Sequence, residues 1–251
     1  MSGVSPARLG ALLGVASVLV GATALATGAS RAAPTCLGQP ATIVDGPGSN
    51  RIQGSQGSDV IFAGAGNDTV AAGGGVDRVC GVDGDDTIDT GTEDDFIDGG
   101  EGDDEMHGYN GDDRIEGGPG RDFLDGRRGR EDVLIAGPGR DRLIGGSVLK
   151  GGGGNDRIDS AGYRRETGSD RVLGGAGDDR LRGDSQSGPG ERIDGGAGAD
   201  ELSGAGGDDR MRGGDGPDRL RGDAGDDSID GGPGTDACDQ GSGSGPVTGC
   251  E

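Results

Sequence analysis

The sequence predicts an all-β repeat protein, and three observations carry that expectation. One is a nine-residue period that runs through most of the 251 residues. Another is a single large apolar residue at one fixed place in each unit, flanked by polar residues, which is the alternation of a strand with one buried face. The third is glycine, 62 residues, which with 10 prolines makes 72 of 251. Without a period that share would signal disorder. Aromatic residues are 2 % of the chain and tryptophan is absent, so a thick core cannot form. A repeat and a bound ligand have to supply the order instead.

Charge narrows the ligand. There are 46 acidic against 23 basic residues, a net of −23. Such a chain repels DNA, RNA and anionic membrane surfaces and attracts cations.

The first 33 residues are of another kind. Arg8 provides a small positive start, and Leu9 to Ala26 is apolar. Ala24-Leu25-Ala26 fits the small-residue pattern of a cleavage site, and cleavage near Ala32 or Ala33 fits as well. The expectation is a signal peptide over 1–33 and an extracellular mature chain that does not enter a membrane after signal removal. An uncleaved anchor is the competing reading, since the run is close to the ~18-residue lower limit of a spanning helix. Ala33-Pro34-Thr35 before Cys36 is a poor lipidation box. Export also suits the four cysteines, Cys36, Cys80, Cys238 and Cys250, an even number for an oxidising compartment. They permit three pairings. No C-x-x-C spacing exists and His107 is the sole histidine, which argues against zinc.

From Asp45 to Asp125 the chain divides every nine residues without a gap. Units such as AGAGNDTVA (63–71), GVDGDDTID (81–89) and GYNGDDRIE (108–116) show the pattern. The sixth position reads Asn50, Asp59, Asp68, Asp77, Asp86, Asp95, Asp104, Asp113 and Asp122. The eighth is always Ile, Val, Met or Leu, and glycine holds the fourth everywhere except TGTEDDFID (90–98). The register then slips: 126–135 has ten residues, 145–150 is truncated, and 160–173 and 183–194 carry insertions. Clean units return at 136–144, 151–159 and 174–182, and five run unbroken from Gly195 to Asp239. Their sixth positions are Asp141, Asp156, Asp179, Asp200, Asp209, Asp218, Asp227 and Asp236.

Seventeen units with Asp or Asn always at one place resemble the G-G-x-G-x-D-x-U-x nonapeptide of repeat-in-toxin (RTX) proteins, with U a large apolar residue. The resemblance covers roughly residues 45–239. It implies a right-handed parallel β-roll, or β-solenoid. The first six residues of each unit form a turn, the last three form a strand, and two units complete one coil. It also implies several bound Ca2+ ions, with the sixth-position aspartates as ligands. Physical chemistry agrees. Coils stack about 4.8 Å apart, so Asp68, Asp86, Asp104 and Asp122 would line one edge and Asp59, Asp77, Asp95 and Asp113 the other. At that spacing and an effective dielectric near 20, neighbouring carboxylates repel by roughly 3 kcal/mol. A hard cation reverses the sign, and calcium accepts six to eight oxygens in flexible geometry where magnesium demands a tight octahedron. One apolar residue per nine cannot offset the ordering entropy of a glycine-rich unit, so folding should be coupled to ion binding.

The layout expected is a signal peptide (1–33), an N-terminal cap (34–44), a regular roll (45–125), irregular repeats (126–194), a second regular roll (195–239) and a tail (240–251). The ends of a roll lie far apart, whereas a disulfide needs Cα atoms within about 7 Å. Cys36–Cys80 and Cys238–Cys250 are therefore the pairings expected. The insertions should bulge as loops, with Arg164, Arg165 and Gln186 open to proteases.

No enzyme is expected. His107 begins no H-E-x-x-H and is assigned to an outward ninth position; no G-x-S-x-G elbow exists; the sole lysine, Lys150, lies in no phosphate loop. The alternative is a β-solenoid enzyme acting on polysaccharide through Tyr163 and surface Asp and Arg in 126–194. Unlike typical RTX proteins, the chain carries an N-terminal signal and no separate toxin or hydrolase domain is apparent. An adhesive or structural module remains, with cell-surface or matrix glycans as expected partners.

Overall fold

The computed structural model describes residues 33–161, 170–185 and 190–251. Residues 162–169 and 186–189 of the two segments with insertions, among them Tyr163, Arg164, Arg165 and Gln186, lie outside the described residues, as does nearly all of the signal segment, 1–32. The described chain is all-β, and no helix in it is long and apolar enough to cross a membrane.

Two parallel sheets, of 11 and 12 strands among the described residues, form the body. Each strand hydrogen-bonds not to its sequence neighbour but to the next strand but one, so the chain alternates between the sheets and climbs one rung per coil. Register follows the repeat: Ile61 pairs with Val79 and Val79 with Ile97, each an eighth-position residue stacked on its counterpart one coil on. The opposite sheet stacks Val70, Ile88, Met106 and Leu124 in the same way. These ladders face each other in one continuous core, a single side chain thick from each sheet, and nearly all its members are fully buried.

Strands are longer than the sequence suggests. Val60–Ala65, Thr69–Gly74, Arg78–Asp83 and Thr87–Thr92 each have six residues, running from the seventh position into the third position of the next unit. Beyond residue 110 they alternate with strands of three, such as Arg114–Glu116 and Arg142–Ile144. Glycine lets the extended chain then turn. Gly91, at a second position, has φ +115°, and a Cβ there would lie 2.2 Å from the Gly73 carbonyl of the preceding coil. Glu93, the exception at the fourth position, still adopts φ 75°, and its Oε2 accepts the Gly75 N–H at 2.9 Å.

Both ends are stapled. Cys36, in the antiparallel pair Thr35–Cys36 and Gln39–Pro40, is bonded to Cys80, with Cα atoms 5.6 Å apart. Cys238 is bonded to Cys250 across 5.8 Å. Residues 240–251, set apart by sequence as a tail, carry the solenoid further: Val247–Thr248 pairs with Ser228–Asp230, and Ser242 N–H reaches the Asp223 carbonyl at 2.7 Å. The bridges and these segments cover the terminal coils, whose edges would otherwise be unpaired.

Candidate metal centre

The sixth residue of every unit sits where the turn becomes the strand, so coil stacking arranges these residues in two columns, one along each edge. Asn50, Asp68, Asp86, Asp104, Asp122, Asp141, Asp156, Asp179, Asp200, Asp218 and Asp236 form the first. In the second, Asp59, Asp77, Asp95 and Asp113 are followed by Asp132, and Glu191, Asp209 and Asp227 follow further on.

One interaction recurs throughout. The Oδ1 of each aspartate accepts the backbone N–H of the column member one coil earlier, at 2.7–3.0 Å. The other oxygen is different. Fifteen of the sixteen aspartates expected as ligands, all but Asp59, are at most 3 % exposed, and their Oδ2 atoms have no hydrogen-bond partner. Asp59 begins its column half-buried, and its Oδ2 is satisfied by the Ser55 N–H and hydroxyl at 2.7 and 2.8 Å.

Where the first position is glycine, it shows what surrounds the orphaned oxygen. A Cβ built on Gly81 would lie 2.1 Å from Asp86 Oδ2 and 2.4 Å from the carbonyl oxygen of Gly99 on the next coil. On Gly174 the same distances are 2.3 Å to Asp179 Oδ2 and 2.5 Å to the Gly195 carbonyl. A carboxylate oxygen without a donor and a main-chain carbonyl thus converge over a bare Cα, both of them acceptors. Buried polar atoms without partners are rare in folded proteins. Hard oxygen donors on a flexible turn are the ligand set of Ca2+, so the residues present fit that ion. Among the described residues no three Asp, Glu, His or Cys side chains converge on one point. Carbonyl oxygens would therefore have to complete the coordination of a bound ion.

Protonation reports the same environment. Burial pushes the carboxyls of Asp86, Asp95, Asp113, Asp122 and Asp179 up to about 7, and those of Asp104, Asp141 and Asp200 up to about 6. The N–H bond to Oδ1 pulls the other way, and neighbouring carboxylates add to the rise. Asp77, Asp156, Asp218 and Asp227 shift in the same direction, again chiefly by desolvation.

Three acids at equivalent places escaped the sequence reading. Asp132, Asp170 and Glu191 are buried at the sixth-position equivalents of the irregular units. Each precedes its core residue, Leu134, Val172 or Ile193, by two, the spacing that identifies them. Glu191 takes the place of aspartate, and burial beside Asp209 drives its carboxyl upward. The truncated unit 145–150 brings Ser147 instead, whose N–H bonds the Asp132 carbonyl at 3.0 Å; the second column is interrupted there.

His107 is not open to solvent, as its ninth position had suggested. It is 7 % exposed, packed edge-on against Tyr109 and Phe123, with Nε2 3.2 Å from Glu105 Oε1. Arg127 reaches over the Tyr109 ring and closes the cluster. Tyr109 and Arg127 occupy second positions at positive φ, 71° and 59°, where most other units carry glycine.

A family profile described as the RTX calcium-binding nonapeptide repeat (4 copies) matches residues 44–79, 81–114, 107–133, 129–147, 148–162, 166–187, 190–220, 203–238 and 212–245. No curated protein matches the chain. The matched segments span nearly all of the coil array described above, and the chain belongs to the RTX calcium-binding nonapeptide repeat family.

Proposed function

We propose that this calcium-binding repeat protein is an exported, non-enzymatic structural or adhesive module whose fold is set by multiple Ca2+ ions held along its two edges. The observation that carries the reading is the columns of buried carboxylate oxygens without donors, many of them beside a carbonyl of the next coil. A cation supplies the missing positive charge at every rung. Sixth-position Asp Oδ2 atoms and turn carbonyls hold it, while Oδ1 ties adjacent coils through the N–H bond. Export is supported by the apolar segment behind Arg8 and by four cysteines spent on terminal bridges. Cell-surface or matrix glycans are the partners of such a module; nucleic acid is not, and the mature chain does not insert in a membrane.

Two measurements on the exported protein test this. N-terminal sequencing should find a start between Thr27 and Pro34, and intact Met1 in a membrane fraction would show an anchor instead. The calcium-loaded protein should release no product from acidic or neutral polysaccharides; product formation would favour a β-solenoid enzyme.

A further inference from the structure

The outward faces of the sheets carry charge of their own. On one sheet, strand register places Arg171, Arg192 and Arg210 side by side on three successive strands. All three are exposed, and none takes part in an ion pair among the described residues. Arg212 lies across from Asp194 in the adjacent row, and Leu173 completes the same surface depression. Like charges directly opposite on neighbouring strands destabilise a sheet. Acids are plentiful in this chain, and other face arginines use them: Arg114 pairs with Glu116, Arg180 with Glu201 and Arg221 with Asp223. A second row, Arg142, Arg157 and Arg180 on the other sheet, is relieved at its two ends by the Phe123 ring and by Glu201; along Arg171, Arg192 and Arg210 no ion pair among the described residues relieves the repulsion.

We propose that this row binds an extended acidic polysaccharide laid across the strands, one carboxylate or sulfate to each guanidinium. The proposal rests on the reading of the protein as a calcium-folded module that meets glycans, and it names their class. Arginine presents a planar fork of donors that matches oxyanions bidentately. The rungs lie about 4.8 Å apart, close to the advance of one sugar along an extended chain, so a polymer charged at each residue meets each arginine in turn. Leu173 offers the apolar contact that a sugar ring face takes. The same depression holds no aromatic side chain on which nucleic-acid bases could stack. The net charge of −23 does not forbid the contact. Its sixth-position carboxylates lie buried at the edges, where calcium offsets them, and exposed charges are screened beyond about 8 Å at physiological ionic strength.

The test uses the mature protein in calcium, with binding measured to immobilised polygalacturonate, heparin, neutral dextran and duplex DNA, and circular dichroism recorded on each sample. Binding to the two acidic glycans, not to dextran, and weakening with salt is the expected result. R171Q/R192Q/R210Q should lose roughly tenfold in affinity for them with its calcium-induced β signal intact. Equal binding by the triple variant would show calcium bridging through the turn acids, and would overturn the proposal. So would DNA bound as tightly as the glycans, or calcium-folded protein that binds neither glycan. A sample without calcium-induced β signal would instead sink the folding reading, and the row with it.

Discussion

Replacing Asp86, Asp104 and Asp122 together with Ala is expected to raise the calcium concentration needed for folding by roughly tenfold or more, since each lost buried partner is worth about 1–3 kcal/mol. The three are consecutive in one column. Their removal takes away three orphaned Oδ2 atoms and also the Oδ1 acceptors of the Asp68, Asp86 and Asp104 N–H groups. Asn at the same places keeps the acceptor and removes the charge, so a comparable loss in that variant assigns the effect to the ion. Arg114→Ala serves as the control. Its guanidinium is exposed and pairs with Glu116 on its own strand, a contact of the kind worth little in water. Calcium titrations of the four proteins followed by circular dichroism give the answer. Equal midpoints for parent and D86A/D104A/D122A would mean that these carboxylates hold no ion.

Acid should act in opposite directions with and without calcium. The folded-state carboxyls of Asp86, Asp95, Asp113 and Asp122 lie up at about 7, while the unfolded value is about 3.8. A raised folded value means that the ion-free roll holds protons the unfolded chain has released. Its stability is therefore greatest below about pH 4 and falls as pH rises toward 7. In chelator, β structure should be stronger at pH 4 than at pH 7.5. With calcium the sign reverses, because protons compete for the same oxygens. The calcium midpoint should climb as pH drops below 7, by roughly tenfold per unit for each carboxylate that must ionise. Composition alone places this loss near pH 4, the ordinary range of aspartate; burial of the columns moves its onset up to 6–7. Calcium titrations at pH 7.5, 6.5 and 5.5 measure it. A midpoint unchanged down to pH 5 would contradict buried, uncompensated ligands.

The periodic part of the molecule was legible because the repeat states it twice. The eighth residue marks the core and the sixth the edge, and an 18-residue step brings like onto like, as Val70 onto Ile88 and Asp68 onto Asp86. The cysteine pairing follows from an extended array whose ends lie far apart. What escaped lay where counting from glycine fails. Asp132, Asp170 and Glu191 sit behind insertions and altered turns, and are found by counting back from the core residue, which the buried ladder holds in place. The break at Ser147 is a property of the stack, since a six-residue unit can complete the strand but not the carboxylate-bearing turn. The roles of the two carboxylate oxygens, one tied to an N–H and one left free, depend on a neighbour a full coil away. The burial of His107 at its ninth position depends likewise on a distant neighbour: Arg127, twenty residues on, lies over the Tyr109 ring and brings its guanidinium to His107 Nδ1.

The central claim is that calcium holds the columns together, and circular dichroism of the mature protein at pH 7.5, first in chelator and then through a calcium titration, tests it most directly. The account predicts a chain largely without β signal in chelator, a cooperative rise in β structure as calcium is added, and much less response to magnesium at equal concentration. A full β signal in chelator, unchanged by calcium, would contradict it.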